Sequence, residues 1–423
     1  MTTNNINSIH KINWVQLIVE TTIFALLPPI IGLPLLFYRI FDQSHKATKT
    51  TYISFMVCIA LYLGSINATK EPGGDQIQYF YAYKNVPIQG FIGSLINIYG
   101  IQYSWQETRT QISAEFMNGV YNYIGYYLTL GYYPLFAALI TIANYIFNFL
   151  GIYKFSQTLK KPHIPIVCGV IILSFFYLYF QYLLQIQKQF LAQSIMMYIL
   201  ASYAVTGKLR LKEWILMGCA FFTHASTILF IPLILYKPIR DKLNKKNLIV
   251  LGAIFSLLII WGPQLAGSIS SENNATLTYG INRLASAEIS NDGTSGLVLS
   301  QIFVIAIPMF FLTLNKLWLN RKTLNSPNAF ILNVVLLLLL AIVAMYNQPV
   351  SQYRYFMMLI AFMPYTYFFI SSNLKTRDTF LLCLAIIMII WFFFQFEKIK
   401  WHYAPELDII IKSPILLLIG KYY

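Results

Sequence analysis

The sequence predicts an all-α, polytopic integral membrane protein, a helical bundle of about 10–12 membrane segments with further helices lying along the membrane surface. Three observations predict it. Of 423 residues, 57% are hydrophobic and 11% charged, whereas a soluble domain carries roughly 25% charged residues. The apolar residues gather in runs of 17–24, the length at which a helix crosses the bilayer core with its backbone groups satisfied internally. The net charge of +15 concentrates in short loops between those runs, as cytoplasmic loops do. The positive charge is thereby assigned to membrane topology and not to nucleic acid.

Candidate spans are 17–38, 51–67, 132–153, 164–182, 189–206, 248–265, 297–315, 329–346, 355–371 and 379–396, all within one transmembrane domain, 1–423. The four cysteines, Cys58, Cys168, Cys219 and Cys383, fall inside apolar runs without CxxC spacing. They read as small buried hydrophobes, neither disulfides nor metal ligands. The N-terminus has neither a basic segment nor a small-residue cleavage site, so it is expected to be retained as written.

Six basic loops hold 19 of the 30 Lys and Arg residues: those around Arg39, Lys154, Lys208, Lys237 to Lys246, Lys316 and Lys375. The positive-inside rule puts all six in the cytoplasm. They share that side only if 213–236 enters and leaves on one face. This favours a broken or re-entrant hairpin with His224 near its tip, and the alternative is an ordinary span with a misplaced helix elsewhere. With the N-terminus outside, the outer segments are 68–131, the polar loop 266–296 and the tail after 397. In the first of these, Phe116, Val120, Tyr123, Tyr127 and Leu130 recur at helical spacing, as in a helix lying in the interface plane with its aromatic face down.

No GxxxxGK[ST], GxGxxG or HExxH motif occurs, so the chain shows no site for ATP, a dinucleotide or catalytic zinc, and no cofactor is expected. Among five histidines only His224 lies deep in an apolar run, where an ionisable group invites a functional reading beside the plainer one of hydrogen-bonded packing.

Against the inner excess of cations, Lys188, Arg283 and Arg354 stand at outer positions. Each could snorkel to lipid phosphates, or together they could form a cationic pocket for an anionic substrate. Ten of the 15 carboxylates fall outside by the same topology. Asp75 and Glu115 differ from the others because each abuts an aromatic, membrane-hugging helix. In "EPGGDQIQYFYAYKN" (71–85), Asp75, Tyr79 and Tyr83 share one helical face. Aromatic surfaces beside a carboxylate suit carbohydrate, whose C–H faces pack on rings while its hydroxyls bond to polar groups. The plainer reading makes Asp75 a helix cap completed by Gln78.

The order of these motifs resembles the Wzy/EpsG-type family of bacterial polysaccharide polymerases. The matching elements are Gly73-Gly74-Asp75 with Tyr79 and Tyr83, Lys188-Gln189-Phe190-Leu191-Ala192, Gly207-Lys208, Phe222-Thr223-His224-Ala225-Ser226 and Arg354-Tyr355, spread over about residues 50–370. The sequence departs from the family's pattern at Lys188, where Arg is usual, and before the Gly/Asp element, where the nearest cation is Lys70. The resemblance implies a GT-C-like membrane architecture in the bacterial plasma membrane, with its site facing the periplasm or cell exterior. It implies transfer of a growing glycan from undecaprenyl pyrophosphate to the non-reducing end of a new lipid-linked repeat unit. It also implies a chain-length regulator and a flippase as partners, with membrane lipid around the chain. Catalytic roles would fall to Asp75, Lys188, Arg354 and His224, and substrate contacts to Tyr79, Tyr83, Glu115, Arg283, Gln189 and Tyr355. Two rivals stay open, a ligase using the same donor and a flippase of lipid-linked oligosaccharide.

Overall fold

The computed structural model describes residues 12–42, 47–97, 113, 115–240, 245–247, 249–250, 252–253, 256–257, 261, 295–319, 324–344, 349–371, 375–399 and 403–422. Among them every regular element is helical. In chain order these are α1 (Trp14–Leu26), α2 (Pro29–Asp42), α3 (Lys49–Ala68), α4 (Asp75–Lys84), α5 (Val86–Ile96), α6 (Met117–Leu128), α7 (Tyr133–Ser156), α8 (His163–Ser174), α9 (Tyr177–Tyr182), α10 (Gln187–Thr206), α11 (Leu211–Thr223) and α12 (Phe230–Leu235). After them come α13 (Ser295–Leu314), α14 (Ser326–Ala344), α15 (Pro349–Ile360), α16 (Met363–Ser371), α17 (Arg377–Ile399), α18 (Glu406–Ile411) and α19 (Pro414–Ile419).

Among the described residues four stretches are long and apolar enough to cross a membrane as single helices: Lys49–Ala68, Tyr133–Ser156, Ser326–Val343 and Arg377–Glu397. Three of the expected spans are pairs of shorter helices instead. The run 17–38 divides into α1 and α2 at Pro28 and Pro29, which lack the N–H groups that would continue the ladder. The run 355–371 divides into α15 and α16 just ahead of Pro364, whose ring disfavours helical backbone before it. The run 164–182 divides into α8 and α9 at Phe175 and Phe176. The span expected at 248–265 lies largely outside the described residues, and the polar loop 266–296 wholly so.

The core is organised around α7, which packs along both α3 and α10, while α10 also carries α11 and α14. Inside this interface Tyr179 donates to Asn144 Oδ1 at 2.8 Å and accepts from Asn148 Nδ2 at 2.9 Å, pinning α9 to α7. Helix α10 ends on Gly207, whose left-handed backbone (φ 71°) closes the helix, and a Cβ there would stand 2.2 Å from the Arg240 guanidinium. The side-chain arrangement of the cysteines departs from the sequence reading. Cys58 and Cys168 are buried, Cys219 is half-buried and Cys383 is exposed, because α17 turns much of its apolar surface outward. None of the four is in a disulfide.

Helix α6 buries its small and polar residues and exposes its large apolar ones. Asn118, Gly119, Asn122 and Gly125 are buried, while Ile124, Tyr127, Leu128 and Leu130 are exposed. A Cβ at Gly119 would collide with the Ser94 carbonyl of α5, and one at Gly125 with the Phe136 ring of α7. The close fit that only glycine permits therefore faces inward.

Candidate functional site

Helix α10 begins at Gln187, so Lys188 occupies its first turn and is carried into the interior where α6 and α11 approach. Its Nζ donates to Glu115 Oε2 at 2.5 Å, and the side chains are 3% and 4% exposed. Burying one such charge alone is costly, so each requires the other, or a replacement for it.

The second carboxylate oxygen faces a histidine. The run 213–236 breaks at His224, which separates α11 from a 3-10 turn, Ala225–Leu229, that leads into α12. The extended backbone of His224 (φ −156°, ψ 123°) turns the chain there, and its Nδ1 accepts from the Ser226 backbone N–H at 3.3 Å. Because that backbone group can only donate, the neutral ring carries its proton on Nε2. Nε2 stands 3.9 Å from Glu115 Oε1. Tyr121 and Thr223 share a hydrogen bond of 3.1 Å, and the Phe116 and Phe222 rings lie 4.8 Å apart, so α6 and α11 are joined on both sides of the pair.

Two amides one turn apart on α10 fix the neighbouring helix. Gln189 Nε2 donates to the Arg354 carbonyl at 2.9 Å, and Gln193 Nε2 to the carbonyls of Met357 and Met358, each at 3.2 Å. Arg354 is half-buried on α15, and among the described residues its guanidinium has no hydrogen-bond or ion-pair partner. Tyr355 is buried beside it.

The Gly-Gly-Asp element stands apart from this cluster but close to its approach. Gly74 (φ 56°) is the N-cap of α4 without a side-chain bond, and Asp75 is exposed as the first helical residue. The capping box expected of Asp75 and Gln78 is therefore not formed, since the helix starts one residue earlier than that reading requires. A Cβ at Gly74 would lie 3.9 Å from Gln185 Nε2, on the turn that feeds α10. Tyr79 is buried, and Tyr83 lies in the core, stacked on Phe136 and hydrogen-bonded to Thr129. Burial pushes the Tyr83 phenol up to about 12. The tyrosine ladder thus packs α4 onto α6 and α7 and leaves Asp75 at its exposed end. Arg283 lies outside the described residues.

Lys70, read from the sequence only as the nearest cation, is buried. Its Nζ donates to the Gln181 carbonyl at 2.8 Å and lies 5.7 Å from the centre of the Tyr403 ring. Desolvation pushes its ammonium down to about 7. It ties the loop before Asp75 to the end of α9, a link no local pattern reveals. The pair Gln189 and Gln193 did carry a signal, two amides at i, i+4 in a largely apolar helix. Among the described residues no three His, Cys, Asp or Glu side chains converge as a metal ion would require.

The model of a known family, the EpsG family, matches residues 68–403 of the chain. The chain belongs to the EpsG family. That span carries every described element of the cluster, from the loop of Lys70 to the helix of Arg354. No curated protein and no solved structure matches the chain. Membership in the EpsG family supports a role of the polysaccharide-polymerase type, in a membrane protein of polysaccharide biosynthesis.

Proposed function

We propose that this EpsG-family chain polymerises lipid-linked oligosaccharide repeat units. It transfers the growing glycan from undecaprenyl pyrophosphate to the non-reducing end of a new undecaprenyl-pyrophosphate-linked repeat. The reaction runs in the bacterial plasma membrane, with the site open to the periplasm or exterior. The observation that carries this reading is the buried Lys188, Glu115 and His224 cluster joined through Gln189 to the helix of Arg354.

The chemistry fits that set. Departure of a pyrophosphate loads negative charge onto its oxygens, and fixed cations facing them lower the barrier. Arg354 has a planar guanidinium, without a partner among the described residues and suited to paired phosphate oxygens, and Lys188 adds a point charge one helix away. Asp75, at the exposed start of α4, orients the acceptor sugar by accepting from its hydroxyls. The donor's phosphoester bond supplies the driving force, so no nucleotide is needed.

The test is the surface polysaccharide of a strain lacking the protein. The ladder of long chains should vanish while single repeat units still cap the lipid acceptor. Loss of every repeat would instead indicate a flippase, and accumulation of polymer on the carrier lipid would indicate a ligase.

A further inference from the structure

Glu115 occupies a position that the proposed reaction needs for something else. The cation expected to meet the leaving pyrophosphate, Lys188, is already bonded to a carboxylate at 2.5 Å, and that carboxylate is as deeply buried as the lysine. An interior ammonium must have an anion, and Glu115 supplies it. Its other oxygen faces the His224 Nε2–H at 3.9 Å, beyond hydrogen-bond range but within one side-chain rotation. The histidine cannot turn away, because the Ser226 backbone N–H holds its Nδ1.

We infer that Glu115 is a placeholder for the donor's phosphate and becomes the general base once the donor displaces it. The inference rests on the polymerase reading and adds an order of events to it. The pyrophosphate takes over Lys188, and the carboxylate, now without its ammonium, moves to His224, whose Nε2–H holds it in place. A carboxylate bonded to an ammonium is a poor proton acceptor, and one that has lost that partner is a better one. Transfer then balances. The acceptor hydroxyl oxygen bonds to the anomeric carbon of the donor sugar as the carbon–oxygen bond to phosphate breaks. Undecaprenyl pyrophosphate leaves with the electron pair, and the hydroxyl proton goes to Glu115. A base that forms only when the donor is seated protects the donor from a water molecule activated in its absence.

The deciding experiment uses purified full-length protein in detergent, inorganic pyrophosphate as the probe, and the variant Glu115→Gln. With the competing carboxylate gone, pyrophosphate should bind about tenfold more tightly if the wild-type lysine is uncovered only about a tenth of the time. Transfer from a lipid-linked donor should meanwhile fall by about a hundredfold or more, the usual contribution of a general base. Weaker pyrophosphate binding would overturn the inference and make Glu115 an orienter of Lys188, and unchanged transfer would also overturn it. A second measurement does not depend on the variant's folding. Adding pyrophosphate to wild-type protein should shift a carboxylate infrared band that Glu115→Asp moves, and an unshifted band sinks the idea. If the deletion strain keeps its long chains, the polymerase reading itself fails. If they vanish but Glu115→Gln binds no tighter, only the placeholder fails.

Discussion

Gln189 holds Arg354 by its backbone, donating a side-chain hydrogen to the arginine's carbonyl oxygen at 2.9 Å and leaving its guanidinium without a partner among the described residues. One helix therefore carries Lys188 and, through the next residue, fixes the helix that carries the second cation. Replacing Gln189 with Leu removes one hydrogen bond worth about 0.5–1.5 kcal/mol, so polymerisation should fall by up to about tenfold with protein levels maintained. Full-length ladders from Gln189→Leu would separate the two helices functionally.

Arg354→Ala should cost far more than Arg354→Lys. On the proposed reading its partner is the donor's phosphate, and truncating one side of such a hydrogen-bonded charge pair costs about 2–5 kcal/mol, or roughly two to three decades in rate. Chain-length profiles from strains with matched protein levels measure the difference. Unchanged polymer from Arg354→Ala would leave the residue as a lipid anchor.

Asp75 carries no capping bond, so its removal has little structural consequence. Asp75→Asn should cost about 0.3–1 kcal/mol through the lost charge at the helix start, yet abolish long chains while the protein still inserts. A normal ladder would reduce the Gly-Gly-Asp element to a helix start.

Lys70 predicts a pH dependence of stability. Its ammonium titrates at about 7 in the folded chain against 10.5 in the ordinary range. Between those values the unfolded chain binds the additional proton, so stability rises with pH through that window and is lowest below it. Thermal unfolding in detergent should show wild-type protein gaining on Lys70→Met between pH 7 and 10. A constant difference would mean that the lysine is hydrated.

The topology prediction concerns the loop 237–247, expected in the cytoplasm, and the loop 266–296, expected outside. Single cysteines at Asn244 and Ser290, in a chain with its own four replaced, should label from opposite sides. Labelling of both by an impermeant reagent from outside would mean that 213–236 crosses fully.

The sequence made some of this legible and concealed the rest for identifiable reasons. Lys188, His224 and Arg354 stood out because charge inside or beside an apolar run has few explanations. The breaks near Pro28 and Pro364 were not legible, the runs 17–38 and 355–371 reading as single spans, because proline does not always end a helix: Pro34 and Pro308 lie inside unbroken ones. The partnership of Glu115 with Lys188 was not legible either, because 73 residues separate them and each is unremarkable alone among polar neighbours. Tyr83 misled for the opposite reason. Its spacing from Asp75 is helical as expected, but the face it shares points partly into the bundle, and periodicity does not say what covers a face.

The glycines of α6 have a consequence for where chemistry can happen relative to the lipid. Since Gly119 and Gly125 are in contact with neighbouring helices, α6 cannot roll freely about its axis, and Ile124, Tyr127 and Leu128 point in one direction. Glu115 lies two residues ahead of the same helix and inherits that setting. The apolar ridge then acts as a depth gauge. The level at which it settles into lipid tails sets how far below the surface the carboxylate sits. On the proposed polymerase reading, bilayer thickness should therefore tune transfer, with thinner or thicker lipid displacing the buried ion pair from the level at which a carrier lipid would present its phosphates.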